Sequence, residues 1–207
     1  MPFTLRTLSL PDLLAAFSAP APTPGGGSAA ALATALGASL LMMVAGLPKT
    51  RTDADAEREA LAAAGTALER VRDGAAELID RDSAAYDEVV AAYRLPKGDP
   101  AALAARTQAV QAALRRATEV PLEVMRRAAE GLALAREVAR HGRRAAASDV
   151  GVGVGLLRAG LRGAGLNVDV NLGGIADEAF VARVRQEADA LATEAGRDAD
   201  EAEARLA

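Results

Sequence analysis

From Ala29 to Leu47 the chain carries no charged residue, and this run constrains the fold more than any other stretch. Its first 18 residues, AAALATALGASLLMMVAG, hold seven alanines alongside Leu and Met, all strong helix formers. The length approaches that of a membrane span. The alanine content and the polar Thr34 and Ser39 favour instead the buried central helix of a soluble bundle. On that helix Ala29, Ala33 and Gly37 form a small-residue row at i, i+4 spacing, suited to close approach of another backbone. Leu36, Leu40, Met43 and Leu47 fall on a neighbouring stripe, expected to pack the core.

The run is entered through Pro22-Thr23-Pro24-Gly25-Gly26-Gly27-Ser28. Prolines stiffen the approach, glycines let backbone come close to a ligand, and Ser28 is a suitable N-cap. A glycine-rich turn opening a helix leaves N–H groups free and gathers partial positive charge, which favours anions. The same turn serves equally as a tight connection. It is not a Walker loop, because no Lys-Ser/Thr pair follows the last glycine.

Composition narrows the class further. Aromatics are only 2% of the 207 residues, so Ala, Leu and Val must fill the interior, which suits close helix packing rather than a sandwich. A net charge of −4 argues against general nucleic-acid binding. Without cysteine there is no disulfide or thiolate chemistry, and the single His141 excludes a histidine-rich metal site within one chain. No basic segment precedes an apolar stretch at the start, so no signal peptide is expected; a cytoplasmic protein with no membrane span is the natural class.

Helical periodicity accounts for the rest. Ser9-Leu10-Pro11-Asp12 opens a short helix to about Phe17. After a loop at Leu47–Thr52, Asp53 is expected to cap a very long helix to about Leu95, with Leu61, Leu68, Val71, Leu78, Ile79, Tyr86, Val89 and Val90 in period. Leu95-Pro96-Lys97-Gly98-Asp99-Pro100 is the clearest break. A fourth helix starts near Asp99, is expected to kink or restart at Pro121, and stops at His141-Gly142. Ser148-Asp149 caps a glycine-rich helix to about Leu172, on which Gly151, Gly155, Ala159 and Gly163 make a smooth strip for tight packing. A last helix runs from Asp177 to the C-terminus. The reading is one all-α domain over residues 1–207, a helical bundle with long helices.

Two pairs carry candidate chemistry. Asp82 and Tyr86 are four apart and share a helix face, where an acid and a phenol can serve a proton network around a bound ring. Spacing alone favours a solvated Asp beside a core Tyr. Asn167 and Asn171 are also four apart, in apolar company, and either read a heteroaromatic edge or satisfy nearby backbone. Asp149 after Ser148 improves the charge at its helix N-terminus. Arg136, Arg140, His141, Arg143 and Arg144 make a basic cluster, usually a solvated surface, with His141 a helix-end cap.

The order of the motifs is specific. P-T-P-G-G-G-S-x-A-A-L, D-S-x-A-Y, Y-x-L-P-K, E-V-P-L-E, S-D-V-G-V-G and N-V-x-V-N-L together resemble the formiminotransferase-cyclodeaminase C-terminal family, from Leu10 to the last helix. That family includes cyclodeaminase domains and stand-alone methenyltetrahydrofolate cyclohydrolases. The resemblance implies an all-helical homodimer binding a tetrahydrofolate derivative near its interface. It implies an enzyme that either hydrolyses 5,10-methenyltetrahydrofolate to 10-formyltetrahydrofolate or closes 5-formiminotetrahydrofolate with loss of ammonia. No metal and no cofactor beyond the folate substrate is implied. A chain without a transferase domain leans towards the cyclohydrolase.

By the same resemblance Asp82 and Tyr86 are the catalytic positions. Gly25, Gly26, Gly27, Ser28, Asp149, Asn167 and Asn171 are the substrate-binding ones. Two departures stand out: the family's Gly-Lys/Arg-x-x-Tyr segment reads Thr50-Arg51-Thr52-Asp53 here, and its Asn-Pro-Asn stretch reads Arg143-Arg144-Ala145. They motivate the alternative of an inactive folate-binding or structural dimer of the same fold.

Overall fold

Two helices much longer than the rest set the frame. The computed structural model describes residues 4–206. A 3-10 turn at Leu5–Thr7 precedes α1 (Leu10–Ser18), α2 (Gly26–Ala45), α3 (Asp55–Tyr93), α4 (Pro100–His141), α5 (Ala147–Leu172) and α6 (Glu178–Ala204). Helix α3 has 39 residues and α4 has 42, so each is about 60 Å long. They run antiparallel as one hairpin. Helices α2 and α5 lie along it with 20 and 26 residues, and α6 docks on α4 and α5. Among the described residues there is no β-strand, only an isolated bridge between Thr50 and Gly142.

Capping matches the sequence at three starts. Ser9 accepts from the Asp12 N–H, Asp99 from Ala102, and Asp177 from Ala179 and Phe180. Three starts differ. Gly25, not Ser28, is the N-cap of α2, since Ser28 has a partner elsewhere. Asp53 sits in the left-handed region (φ 62°), and its carboxylate accepts from the Thr50 N–H, so Ala54 precedes α3 instead. Helix α5 begins at Ala147, which puts Ser148 and Asp149 inside its first turn.

The buried face of α2 is also displaced from the expected one. Ala30, Ala31, Thr34, Ala35, Gly37, Ala38, Leu41 and Val44 are buried, whereas Leu36 is 54% and Met43 44% exposed. Close packing explains the rotation. A Cβ on Gly37 would lie 2.8 Å from the Gly153 carbonyl and 2.9 Å from Leu157 Cγ. One on Gly160 would overlap Thr34 Oγ1 and lie 2.9 Å from the Ala30 carbonyl. Backbones this near admit only small side chains at the points of closest approach, so Leu36 and Met43 turn outward while Leu41 lies against Gly153. The same rotation moves the contact row of α5 to Gly153, Leu157 and Gly160. The expected strip packs only in part: a Cβ on Gly163 would lie 3.2 Å from Ala30 and one on Gly151 3.3 Å from Leu206, whereas Gly155 meets nothing within 4 Å and Ala159 is exposed.

Pro121 does not restart α4, which is continuous from Pro100 to His141. Proline inside a helix lacks the N–H owed to the carbonyl four residues back and costs about 3 kcal/mol. Here that carbonyl is Ala117's, and it accepts instead from Asn171 Nδ2 at 2.8 Å.

Beyond the ends of α2 and α5 the hairpin overhangs. Ser28 at the start of α2 meets Asp82, and Gly174 just after α5 meets Leu114. The last turns of α3 and the first of α4 therefore project past both. A small apolar cluster of Ala92, Val110, Ala113 and Leu114 holds this overhang together.

Candidate active site

Where the overhang leaves the bundle, four elements converge on a cavity of about 280 Å3. The turn before α2 supplies Pro22, Thr23 and Gly25, and the first turn of α2 supplies Gly26 and Gly27. Helix α3 supplies Asp82, Tyr86 and Val89, α4 supplies Leu114 and Ala117, and α5 supplies Asn167, Val170 and Asn171. A larger groove of about 510 Å3 between α4, α5 and α6 contains none of the residues singled out from the sequence.

Asp82 is anchored by one oxygen only. Its Oδ2 accepts the Ser28 backbone N–H at 2.8 Å and the Ser28 hydroxyl at 3.0 Å. Ser28 Oγ is fully buried and also lies 2.9 Å from the Ile79 carbonyl and 3.2 Å from Ser83 Oγ. Asp82 Oδ1 has no hydrogen bond from the described chain. Burial pushes the Asp82 carboxyl above the ordinary carboxylate value, and the Ser28 hydroxyl and N–H pull it partly back. The site therefore holds a carboxylate with a fixed oxygen, a free oxygen and raised basicity, the profile of a general base.

Gly27 makes this geometry possible, because a Cβ there would overlap the Asp82 carboxylate. Gly26 serves the opposite wall: its Cβ would lie 3.3 Å from Asn167 Nδ2. Of the two amides, Asn167 donates to the Gly163 carbonyl at 2.8 Å and Asn171 to the Ala117 carbonyl. Carbonyls only accept, so these bonds fix which amide atom is nitrogen. Neither Oδ1 accepts from the described chain.

Spacing alone favoured a solvated Asp beside a core Tyr, and the structure reverses it. Asp82 is the partly buried member, and the Tyr86 ring is 41% exposed at the cavity. Gly25, Gly26, Gly27, Asn167 and Asn171 line the same cavity, with Ser28 directly behind Asp82. Asp149 does not join them. It lies in the first turn of α5, 18 residues before Asn167, about 27 Å along the helix axis. Sequence reasoning missed Ser83, which sits in the D-S-x-A-Y motif, and the apolar wall of Val89, Leu114, Ala117 and Val170, which carries no local signal.

Two members of the basic cluster have structural partners. Arg136 pairs with Asp198 at 3.0 Å and Glu201 at 2.6 Å, and His141 lies 3.4 Å from Glu137 at the end of α4.

A family model described as formiminotransferase-cyclodeaminase matches residues 9–190. The chain belongs to this family. It is 44% identical over 119 residues to a methenyltetrahydrofolate cyclohydrolase of Methylorubrum extorquens, covering 58% of this chain and 57% of that protein. It is 37% identical over 134 residues to the formimidoyltransferase-cyclodeaminase of Sus scrofa, covering 63% of this chain and 25% of that protein. The matched segments thus span just over half of the first relative and a quarter of the second. In fold, a formiminotetrahydrofolate cyclodeaminase of Thermotoga maritima superposes with a TM-score of 0.88 over 98% of this chain and 97% of its own, at 24% identity. The two departures from the formiminotransferase-cyclodeaminase pattern lie together: Thr50 bridges Gly142, and Arg51 N–H donates to the His141 carbonyl at 2.9 Å. Both are at the far end of α2, about 30 Å from Asp82.

Proposed function

We propose that the chain is a folate one-carbon enzyme acting as a 5,10-methenyltetrahydrofolate cyclohydrolase. The observation that carries this reading is Asp82: one oxygen is held by Ser28, and the other is free at a glycine-floored cavity. Water adds to the methenyl carbon between N5 and N10 while Asp82 Oδ1 takes a proton from it. The tetrahedral carbon then breaks its bond to N5, N5 gains a proton, the formyl group stays on N10, and one proton is released overall. Tyr86, at the cavity edge, is placed to orient the bound ring.

The same base serves the alternative ring closure, taking the N10 proton as N10 attacks the formimino carbon and ammonia leaves. Similarity to the Methylorubrum cyclohydrolase supports the hydrolytic direction. Both reactions exchange only water, ammonia and protons, so the reading calls for no cofactor beyond the folate.

Purified protein given 5,10-methenyltetrahydrofolate should bleach the methenyl absorbance, and given 5-formiminotetrahydrofolate should raise it little. The opposite pattern assigns the cyclodeaminase. Tight folate binding with neither reaction assigns a binding protein. Asp82→Asn keeps the shape and removes the base. It should bind substrate while turnover falls on the order of a hundredfold to ten-thousandfold. Turnover at the parent rate with unchanged KM would remove Asp82 as the base.

We further infer a homodimer through the open face of α2 and α5. Leu36 and Met43 on α2, with Val152, Leu166 and Val170 on α5, are exposed apolar side chains, and Val170 lines the cavity while 78% exposed. A second copy on this face covers the mouth of the site. Sedimentation of a dilute sample should give a dimer, and Leu36→Asp with Met43→Asp should give a monomer.

A further inference from the structure

We infer that Pro121 is a positioning residue: it frees the Ala117 carbonyl to hold Asn171 so that its Oδ1 is presented to an N–H donor of the bound ring. The inference rests on the folate reading above and sharpens it to one edge of the ligand.

In an uninterrupted helix the Ala117 carbonyl takes the N–H of residue 121, and proline has none. A carbonyl deprived of its partner beside a cavity must find another donor. Asn171 Nδ2 supplies it across the α4–α5 contact at 2.8 Å. The amide is thereby oriented from outside. With one Nδ2 hydrogen committed to Ala117, the amide is fixed in orientation, and its Oδ1, which no group of the described chain engages, is left as an acceptor for a ligand. Asn167 repeats the arrangement one turn earlier, with Nδ2 committed to the Gly163 carbonyl. The α5 wall of the cavity therefore offers two orientation-fixed amides, each with an Oδ1 that accepts nothing from the described chain. It suits a ring carrying N–H donors on one edge, as the lactam N–H and amino group of a reduced pterin do.

An ordinary residue at 121 would satisfy Ala117 O from within α4 and leave the Asn171 amide free to turn. Pro121→Ala is therefore expected to hold or raise the melting temperature, since proline is the poorer helix former. It should nonetheless weaken substrate binding, with the loss falling on KM more than on kcat. A merely structural proline would not separate stability from KM in this way.

The decisive test pairs this variant and Asn171→Ala with the ligand. Binding of 5-formyltetrahydrofolate is compared with that of its 2-deamino and N3-methyl analogues. On the parent protein at least one analogue should bind about tenfold to a hundredfold more weakly, because a buried acceptor loses its donor. In both variants that discrimination should shrink towards unity. Three outcomes overturn the inference while leaving the folate reading intact: neither analogue is penalised by the parent, the penalty persists undiminished in both variants, or Pro121→Ala binds as the parent does. The analogue comparison on the parent needs no variant to fold. A parent that binds no reduced folate overturns both readings.

Discussion

The two ends of α2 use the same backbone to opposite purposes. At its start the chain is glycine, the first turn hands the Ser28 N–H to Asp82, and side-chain oxygens on α3 and α5 lack partners within the described chain. At its end the following loop is closed on itself. Thr50 N–H donates to Asp53, the Thr50 hydroxyl to Glu57 at 2.5 Å, and Thr52 N–H to Glu57 at 2.8 Å. Arg51 then ties the loop to the Ala139 and His141 carbonyls. An end whose loop donors are mostly paired within the chain has little left for a ligand. An end that leaves acceptors open bears that cost for binding.

The largest effect that could break this contrast is at Gly27. Gly27→Ala places a methyl where the Asp82 carboxylate lies, so the carboxylate must shift. Displacing a reacting group by about 1 Å costs on the order of a hundredfold in rate. The fold should survive, because the methyl meets a side chain rather than backbone. Parent-like kcat/KM in a folded Gly27→Ala protein would show that Asp82 need not sit there.

Ser28→Ala tests the anchor more gently. It removes the hydroxyl bond and keeps the backbone one, so a rate loss of about tenfold is expected, the low end for a positioning contact. The direction of the pH effect is more telling. Burial already raises the Asp82 carboxyl, and the Ser28 hydroxyl opposes the rise, so its loss must raise it further. The acid limb of kcat/KM, where the base protonates, should move to higher pH. A limb that stays or moves down would refute the assignment. For stability the sign is the same: a raised folded value means Asp82 supports folding below its unfolded pKa, and that support fades as pH climbs through the folded one.

The smallest expected effect belongs to the closed end. Thr50→Val should cost about 1 kcal/mol from lost hydrogen bonds and leave kcat and KM alone. Glu57 is held down to about 2 chiefly by the Thr50 hydroxyl. Its contribution is present above about 4.5 and lost as pH falls towards 2, and the variant should flatten that part of the stability curve. A kinetic effect would mean that a second copy carries this loop to the neighbouring site, because about 30 Å separates them within one chain.

Element types and most helix ends were legible because caps, proline breaks and periodicity are local. Asp99 and Asp177 cap as their positions suggest. The packing phase of α2 was not legible. Alanine and glycine on one side and leucine on the other look like groove and core, but which side meets a neighbour depends on how near that neighbour comes. That Asp82, Tyr86 and the two asparagines line one cavity agrees with their grouping by motif order. Their connections were not legible, since Ala117 and Leu114 resemble any other alanine and leucine. Asp149 carried the same motif signal, yet the length of α5 removes it from the cavity.

The overhanging hairpin has a kinetic consequence. Its outer turns are tied by a four-residue buried cluster around Ala92 and Leu114 and by exposed contacts such as Arg106 on Tyr93, whereas most of the buried apolar residues of α3 and α4 belong to the main core. Cooperative units with so little buried apolar surface open sub-globally long before the whole molecule does. Backbone amides of residues 94–110 should then exchange with deuterium far faster than those of residues 61–79. Tyr86, Val89 and Leu114 sit at the root of this lever. A ligand that grips them should slow exchange out to the tip, so occupancy at the cavity would be readable from amides some 15 Å away.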